Sequence, residues 1–170
     1  YKRQHIMRKI PFSPPDITEE EIQAVIDVLR SGWITSGPQL TKFEEGIKEY
    51  CDVNNALALN SATAAMELVL KYFDIKEGDE IITTPYTYTA TSSVAIHRGI
   101  KPIYVDVKKD TFQMDIDKVA EKITTKTRVI MPVDIAGLPF DYDALKKVLR
   151  DIGREDIMIL CDSAHSFGAK

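Results

Sequence analysis

The sequence predicts an α/β fold in three layers, α/β/α, with a mostly parallel sheet between two layers of helices. From residue 56 onwards, apolar runs of strand length alternate with amphipathic stretches of helical length. This alternation is typical of parallel sheets whose strands are joined by crossover helices. The chain has 170 residues, 44% of them hydrophobic, which is enough to bury a core of its own.

Two helices are predicted before the alternating region. Thr18 is a candidate N-cap with Glu21 in the capping-box position, and apolar residues then recur at helical spacing until Ser31 and Gly32 end the pattern. A second, shorter helix is expected over residues 40–50.

Strands and helices alternate in the remainder of the chain. Strands are predicted at 56–59, 80–83, 102–105, 128–133 and 157–161, and helices at 62–73, 89–97, 115–123 and 141–150. Nothing in the composition marks a domain boundary within residues 10–170, whereas residues 1–9 are expected to be a tag remnant or a flexible extension.

Composition excludes several classes of partner. The net charge of -4 comes from 22 basic and 26 acidic residues spread along the chain, so no basic stripe for nucleic acid is present. No apolar stretch approaches the roughly 20 residues that a membrane span needs, and the opening residues are too polar for a signal peptide. Cys51 and Cys161 are interpreted as reduced core thiols. We expect a cytoplasmic protein without a nucleic-acid, membrane or metal partner.

The residues that follow the strands are the first candidates for a functional site, because a parallel sheet binds ligands beyond the carboxyl ends of its strands. They gather small hydroxyl residues, aromatics and acids, at 60–63, 85–88, 134–137 and 162–165.

The first of these segments predicts a phosphate site. The free backbone N–H groups of the first helical turn, which carries about half a positive charge, point to the crevice together with the hydroxyls of Ser61 and Thr63. Seen alone, the same residues are at least as typical of an ordinary helix N-cap. Neither a glycine-rich dinucleotide fingerprint nor a P-loop occurs in the sequence.

Aromatic and acidic side chains follow other strands. Tyr86 and Tyr88 could stack on a flat heterocycle, although packing at a strand end is the commoner role for such residues. Asp162 ends a buried strand, where a carboxylate is costly unless a cation or a strong donor meets it. A protonated ring nitrogen would satisfy Asp162, and so would capping of the next turn or a pairing with a lysine.

Two further residues belong to the predicted ligand site. His165 could donate to an anionic oxygen, although a lone histidine is more often structural, and Ala164 is small enough for a ring to lie flat against the backbone. The combination indicates a site for a flat, cationic, phosphorylated ring. Pyridoxal phosphate fits this description, because a carboxylate at its ring nitrogen keeps the ring protonated and strengthens it as an electron sink.

The chain resembles the pyridoxal-phosphate-dependent nucleotide-sugar aminotransferases of the DegT and StrS type, which have the fold type I architecture. The resemblance runs from about residue 10 to 169. It rests on four ordered motifs: Ser31 to Pro38, Ser61 to Ala65, Gly78 to Ile82 leading into Thr87 to Thr91, and Asp162 to Gly168.

Cofactor-binding roles follow from the resemblance residue by residue. It implies that Ala62 and Thr63 hold the phosphate and that Tyr88 stacks on the pyridine ring. Asp162 would pair with the ring nitrogen, and Ala164 would pack behind the ring.

The resemblance also implies a catalytic and a substrate set. His165 would contact the phenolic oxygen of the cofactor and act with Asp162 in catalysis. Trp33 and Thr35 lie in the segment that resembles the family's substrate approach.

The implied reaction moves an amino group from an amino acid, glutamate first among them, to a keto sugar on a nucleotide diphosphate, for amino-sugar biosynthesis. A homodimer is implied as well. Two alternatives stay open: a sugar dehydratase with the same cofactor but with histidine in place of the Schiff-base lysine, and a non-catalytic regulatory protein that keeps the fold.

The sequence departs from the family pattern in two places. Residues 133–137 contain no histidine where the family often has one, and no segment after Asp162 matches the one that carries the Schiff-base lysine. Lys170 is too close to Asp162 to be that lysine. The resemblance therefore predicts that residues 10–170 are the N-terminal part of the cofactor-binding large domain. It also predicts that the C-terminal remainder is absent from this chain and that these 170 residues alone are inactive.

Overall fold

A computed structural model describes residue 11 and residues 14–169. The predicted extension at 1–9 lies outside these residues. The chain divides into two compact units, one ending at Ala58 and the other beginning at Leu59. The assignment of residues 10–170 to part of one large domain stays a prediction.

The described residues of the first unit form two helices, α1 (Glu19–Ser31) and α2 (Pro38–Cys51). The predicted capping box is confirmed, because the Glu21 carboxylate accepts a hydrogen bond from the Thr18 backbone N–H at 2.6 Å. Helix α2 begins two residues earlier than predicted, at a proline whose missing N–H costs nothing in the first helical position.

The second unit contains three helices and four strands, in the order α3 (Ala62–Tyr72), β1 (Glu80–Thr83), α4 (Ala90–Ile96), β2 (Lys101–Tyr104), β3 (Thr127–Ile130), α5 (Tyr142–Asp151) and β4 (Met158–Ile159). The strands form one sheet in the order β2-β1-β3-β4, and every pair in it is parallel. The predicted α/β class is confirmed.

Successive residues of the two central strands supply two separate apolar cores. Ile81 of β1 and Val129 of β3 pack with α3 and α4, whereas Ile82 and Ile130 pack with α5. Side chains of a strand point alternately to the two faces of its sheet, so the helices cover both faces. The unit therefore has the three predicted layers.

The strand order positions a crevice at the carboxyl edge of the sheet. Strand β1 lies between β2 and β3. Helix α4 connects β1 to β2 on one side, and helix α5 connects β3 to β4 on the other side. Because α4 and α5 cover opposite faces, the carboxyl ends of β1 and β3 flank a topological switch point, where parallel sheets bind ligands.

The strands predicted at 128–133 and 157–161 are shorter in the structure, at Thr127–Ile130 and Met158–Ile159, and two other predicted elements are not formed. Residues 56–59 are not a strand, because no strand of the described residues pairs with them. The predicted helix at 115–123 consists of two short 3₁₀ turns, Ile116–Lys118 and Ala120–Lys122. Ile116 and Val119 are both buried, and their spacing of three residues matches one 3₁₀ turn.

The prediction that Cys51 and Cys161 are core thiols is wrong in one respect. Both are free cysteines, but both are exposed. Cys51 is the last residue of α2, which has no buried residue. Leu160 packs against the core, and alternation along the extended chain therefore turns the neighbouring Cys161 away from it.

Candidate cofactor site

A cavity of about 470 Å³ opens at the carboxyl edge of the sheet. Four segments surround it: the start of α3 and the turns after β1, β3 and β4. Of the predicted cofactor-binding residues, all except Ser61 line it. The lining residues are Ala62, Thr63, Met66, Thr87, Tyr88, Ala90, Val133, Asp134, Ile135, Asp162, Ala164 and His165.

The start of α3 supplies free hydrogen-bond donors to this cavity. Ser61 is the N-cap, and its hydroxyl oxygen accepts from the Ala64 N–H at 3.1 Å. The backbone N–H groups of Ala62 and Thr63 belong to the first turn and have no acceptor within the helix. They add to the positive end of the helix dipole, which favours an anion such as a phosphate.

Asp162 is buried, with 8% of its surface exposed. A parallel bridge between Val133 and Asp162 extends the pairing of β3 and β4 and fixes its backbone. Its Oδ2 accepts from the Thr91 hydroxyl at 2.8 Å, and its Oδ1 meets only the Ala164 N–H, at 3.4 Å. Within the described residues the carboxylate pairs with no lysine, and its capping of the next turn is limited to the long contact with the Ala164 N–H.

Asp134 is the second buried carboxylate at the cavity, and it accepts four hydrogen bonds. Its Oδ1 accepts from the Phe140 N–H at 2.9 Å and the Tyr142 hydroxyl at 2.6 Å. Its Oδ2 accepts from the hydroxyls of Ser163 at 2.7 Å and Ser166 at 2.6 Å. Asp134 thus ties the turn after β3 and the start of α5 to the turn that carries Ala164 and His165.

These donors determine the charge state of Asp134. Burial acts to raise its pKa, but the hydrogen bonds from Ser166, Tyr142, the Phe140 N–H and Ser163 together hold the pKa below its ordinary value. Burial and the bond to Asp134 raise the pKa of Tyr142, so its hydroxyl keeps its proton and remains a donor.

A tight turn at 134–137 packs against the turn after β4. Gly137 has φ of 84°, and a Cβ built there would lie 3.1 Å from the carbonyl oxygen of His165. Both the left-handed backbone and the close approach therefore favour glycine at this position. The backbone contact adds to the two serine bonds in fixing the turn that holds the predicted site residues.

The aromatic and histidine candidates lie at the rim of the cavity. Tyr88 has 78% of its surface exposed, so its ring is available for stacking. His165 is exposed as well. Thr87 is half-buried beside Tyr88, and its hydroxyl lies 2.8 Å from that of Thr91.

Trp33 and Thr35 lie in the first unit, in the loop between α1 and α2. The Trp33 indole donates to the Ser36 carbonyl at 2.9 Å and lies against Gly37, where a Cβ would approach Nε1 to 2.5 Å. These local contacts hold the shape of the loop. The assignment of Trp33 and Thr35 to substrate binding stays a prediction.

Two residues that shape the site received no role from the sequence. Asp134 lies in a segment that its position after a strand made a candidate. The resemblance gives Asp134 no role, because the family often has a histidine in this segment. Thr91 belongs to one of the family motifs but was assigned no role, because its contact with Asp162 joins residues 71 positions apart.

None of the helices in the described part of the chain has the length and apolar character needed to cross a bilayer. Nor does that part hold a group of three histidine, cysteine, aspartate or glutamate side chains placed to bind a metal ion.

The fold is that of the fold type I enzymes, whose cofactor is pyridoxal phosphate. The profile of the DegT/DnrJ/EryC1/StrS aminotransferase family matches residues 15–170, and the chain belongs to that family.

Individual relatives agree with this assignment. A UDP-4-amino-4-deoxy-L-arabinose–oxoglutarate aminotransferase of Shewanella sediminis is 41% identical over 162 residues, which are 95% of this chain and 41% of the relative. Spr1654 of Streptococcus pneumoniae, described as a candidate sugar aminotransferase and solved in its pyridoxamine phosphate form, is 46% identical with a TM-score of 0.90. That match covers 94% of this chain and 43% of Spr1654.

The fold is shared with a dehydratase too. A GDP-4-keto-6-deoxymannose-3-dehydratase is 26% identical, with a TM-score of 0.87, over 95% of this chain and 43% of the dehydratase. The chain spans about two fifths of the length of the relatives it matches.

The residues of the cavity fit pyridoxal phosphate, the cofactor of this family. Free N–H groups at the start of α3 suit its phosphate, and Asp162 keeps acceptor capacity on Oδ1 for a ring N–H. The pyridoxal phosphate form of Spr1654 matches this chain with a TM-score of 0.89.

Proposed function

We propose that the protein transfers an amino group from an amino acid, glutamate first among them, to a keto sugar carried on a nucleotide diphosphate. One observation supports this most directly. A buried carboxylate, Asp162, shares a cavity with the donor-rich start of α3 and still has one oxygen able to accept a strong hydrogen bond.

Each candidate residue has a task in this proposal. The N–H groups of Ala62 and Thr63, with the hydroxyls of Ser61 and Thr63, bind the phosphate of the cofactor. Tyr88 stacks on its ring. These contacts fix the position of the cofactor in the cavity.

The turn after β4 supplies the catalytic groups. Asp162 accepts a hydrogen bond from the ring nitrogen and holds a proton there. Ala164 supports the ring from behind, and His165 contacts the phenolic oxygen. When bound, pyridoxal phosphate supplies a ring that accepts electrons as a proton leaves the substrate.

The substrate class rests on the relatives. The Shewanella sediminis protein is named for a UDP-linked amino sugar and oxoglutarate, and a Bacillus subtilis relative, 37% identical, is a spore coat polysaccharide biosynthesis protein. We place Trp33 and Thr35 at the sugar substrate and assign the protein to amino-sugar biosynthesis.

The full-length protein is proposed to be a cytoplasmic homodimer. Free cysteines at positions 51 and 161 suit a reducing compartment. Exposed aromatic side chains at the end of α3, Tyr72 and Phe73, are of the kind that subunit interfaces cover. We place the cofactor-binding lysine outside these 170 residues, because no motif here corresponds to the family segment that carries it.

The reaction is testable in two halves with the full-length protein loaded with pyridoxal phosphate. Glutamate should yield one equivalent of 2-oxoglutarate per cofactor. Addition of a keto nucleotide sugar should then give the amino sugar, detected by mass spectrometry. A cofactor-loaded protein that forms no 2-oxoglutarate from glutamate would contradict the proposal.

The similarity to GDP-4-keto-6-deoxymannose-3-dehydratase supports a second candidate, a sugar dehydratase with the same cofactor. Borohydride distinguishes the two. Covalent fixation of the cofactor to the full-length protein indicates a lysine enzyme, and bound cofactor that borohydride cannot fix indicates the dehydratase. A full-length protein that binds no cofactor indicates a regulatory protein instead.

A further inference from the structure

Asp162 receives a hydrogen bond from a residue 71 positions earlier in the chain. Thr91 lies near the start of α4, and none of its surface is exposed. Its Oγ1 is 2.8 Å from Asp162 Oδ2 and 3.1 Å from the Tyr88 carbonyl oxygen. A hydroxyl has one hydrogen to donate, and a carboxylate is the stronger acceptor. Asp162 Oδ2, the nearer of the two acceptors, therefore accepts the hydrogen bond from Thr91.

A second threonine orients this hydroxyl. The Oγ1 atoms of Thr87 and Thr91 lie 2.8 Å apart, and the distance alone allows either to donate. Since the Thr91 hydrogen goes to Asp162, Thr87 must be the donor in this contact. The result is a directed chain of hydrogen bonds from Thr87, which lines the cavity, through Thr91 to Asp162.

This series of hydrogen bonds gives the two oxygens of Asp162 different surroundings. Oδ2 accepts the short bond from Thr91, whereas Oδ1 has only the 3.4 Å contact with the Ala164 N–H. The carboxylate torsion of an aspartate is broad, so without Thr91 the side chain alone would not fix the plane of the carboxylate. With Thr91 in place, Oδ1 is the oxygen left for a further donor.

We propose that Thr91 is a positioning residue for Asp162: its buried hydroxyl holds Oδ2 and so presents Oδ1 to the ring nitrogen of the cofactor. Thr87 assists by fixing the direction of the Thr91 hydroxyl. A hydrogen bond donated to a carboxylate also stabilises its negative charge, which is the charge that holds the proton on the ring nitrogen. This inference rests on the proposed role of Asp162.

Two substitutions at position 91 separate the hydroxyl from the shape of the side chain. Thr91→Val keeps the branched shape but removes the hydroxyl, and Thr91→Ser keeps the hydroxyl. The full-length protein is loaded with pyridoxal phosphate labelled with ¹⁵N in the ring, because the ¹⁵N chemical shift reports protonation of the ring nitrogen directly. The rate of the glutamate half-reaction and the thermal midpoint are measured on the same samples.

Thr91→Val should move the ¹⁵N signal towards that of the unprotonated ring and slow the half-reaction about 10- to 100-fold. Thr91→Ser should restore most of both. A purely structural role would lower the thermal midpoint of Thr91→Val without moving the ¹⁵N signal. An unchanged ¹⁵N signal in folded, loaded Thr91→Val would therefore overturn the inference.

Thr87→Val provides a second, independent test, and it decides the matter if Thr91→Val does not fold. Without the Thr87 donor, the Thr91 hydroxyl is less constrained and can turn to the Tyr88 carbonyl, so a smaller shift in the same direction is expected. Absence of any shift in Thr87→Val would then count against the inference.

Asp162→Asn distinguishes failure of this inference from failure of the proposed function. If Asp162→Asn leaves the ¹⁵N signal unchanged, Asp162 does not contact the ring nitrogen and the proposed function loses its main support. If Asp162→Asn moves the signal while Thr91→Val and Thr87→Val do not, only the positioning role of the threonines is wrong.

Discussion

Two aspartates lie just after neighbouring strands of the sheet and differ in how many hydrogen bonds their oxygens accept. Asp134 follows β3 and Asp162 follows β4; they are 4% and 8% exposed, and both line the same cavity. Asp134 accepts four hydrogen bonds from protein groups. Asp162 accepts one short bond and one long contact.

The difference shows how a buried carboxylate can be assigned a role. An ionised carboxylate has about four acceptor positions, so Asp134 is saturated by the fold itself. Asp162 keeps capacity for a donor beyond those that the described residues supply. A saturated buried acid belongs to the structure, and an unsaturated one at a cavity points to a ligand.

Replacement of Asp162 should give the largest effect on the reaction. In the full-length enzyme, Asp162→Asn removes the charge that holds the ring nitrogen protonated, so we expect the glutamate half-reaction to slow by about 100-fold or more. Cofactor affinity should fall much less. Single-turnover absorbance measurements give the rate, and titration of the apoprotein gives the affinity. Unchanged turnover would show that Asp162 does not face the ring.

Replacement of Asp134 should show the opposite pattern. Asp134→Asn leaves one acceptor oxygen for four donors and directs an amide NH₂ at the two serine hydroxyls. We expect the free energy of unfolding to fall by about 2 to 3 kcal/mol, measured by urea denaturation of the full-length protein.

Asp143→Asn is the matched control for Asp134→Asn. Its side chain lies on α5 with 95% of its surface exposed, and it should change stability by less than about 0.5 kcal/mol. Equal stability of Asp134→Asn and Asp143→Asn would mean that the four bonds to Asp134 contribute nothing to the folded state.

The two aspartates also show which site residues can be predicted from the sequence alone. Asp162 was found because an acid directly after an apolar run is visible in the sequence itself. The role of Asp134 depends on donors up to 32 residues away, and these converge only because β3 and β4 are neighbours. Thr91 was missed because its bond joins segments 71 residues apart, one after β1 and one after β4.

The helices and strands show the same distinction: local signals predict an element correctly, and contacts distant in the sequence are missed. The helices at 62–73 and 141–150 were predicted to within one residue, because caps such as Ser61 and Asp141 act locally. The predicted strand at 56–59 is wrong because a strand needs a hydrogen-bonded neighbour, and no strand of the described residues supplies one. An apolar run alone does not contain that information.

The stability that Asp134 contributes should depend on pH. The folded-state pKa of Asp134 lies below its ordinary value, so its contribution is present above the unfolded pKa of about 3.9 and is lost as pH falls through the folded pKa. The stability difference between wild type and Asp134→Asn should be constant from pH 7 to 5 and shrink below about pH 4. Urea denaturation of wild type and Asp134→Asn across this range measures it. A difference that grows on acidification would refute the assigned charge state.

Removal of a single donor from each aspartate compares the two directly. Tyr142→Phe deletes one of the four bonds to Asp134 and keeps the aromatic ring, which packs edge-on to Phe140 at 5.5 Å. Three donors remain, so we expect a loss of only about 1 kcal/mol in unfolding free energy and no change in the ¹⁵N signal of the cofactor ring. Thr91→Val removes one donor from Asp162 and should move that signal. If Tyr142→Phe moved the ring signal as far as Thr91→Val, Asp134 would act on the cofactor too, and the distinction between a saturated structural acid and an open ligand-binding acid would fail.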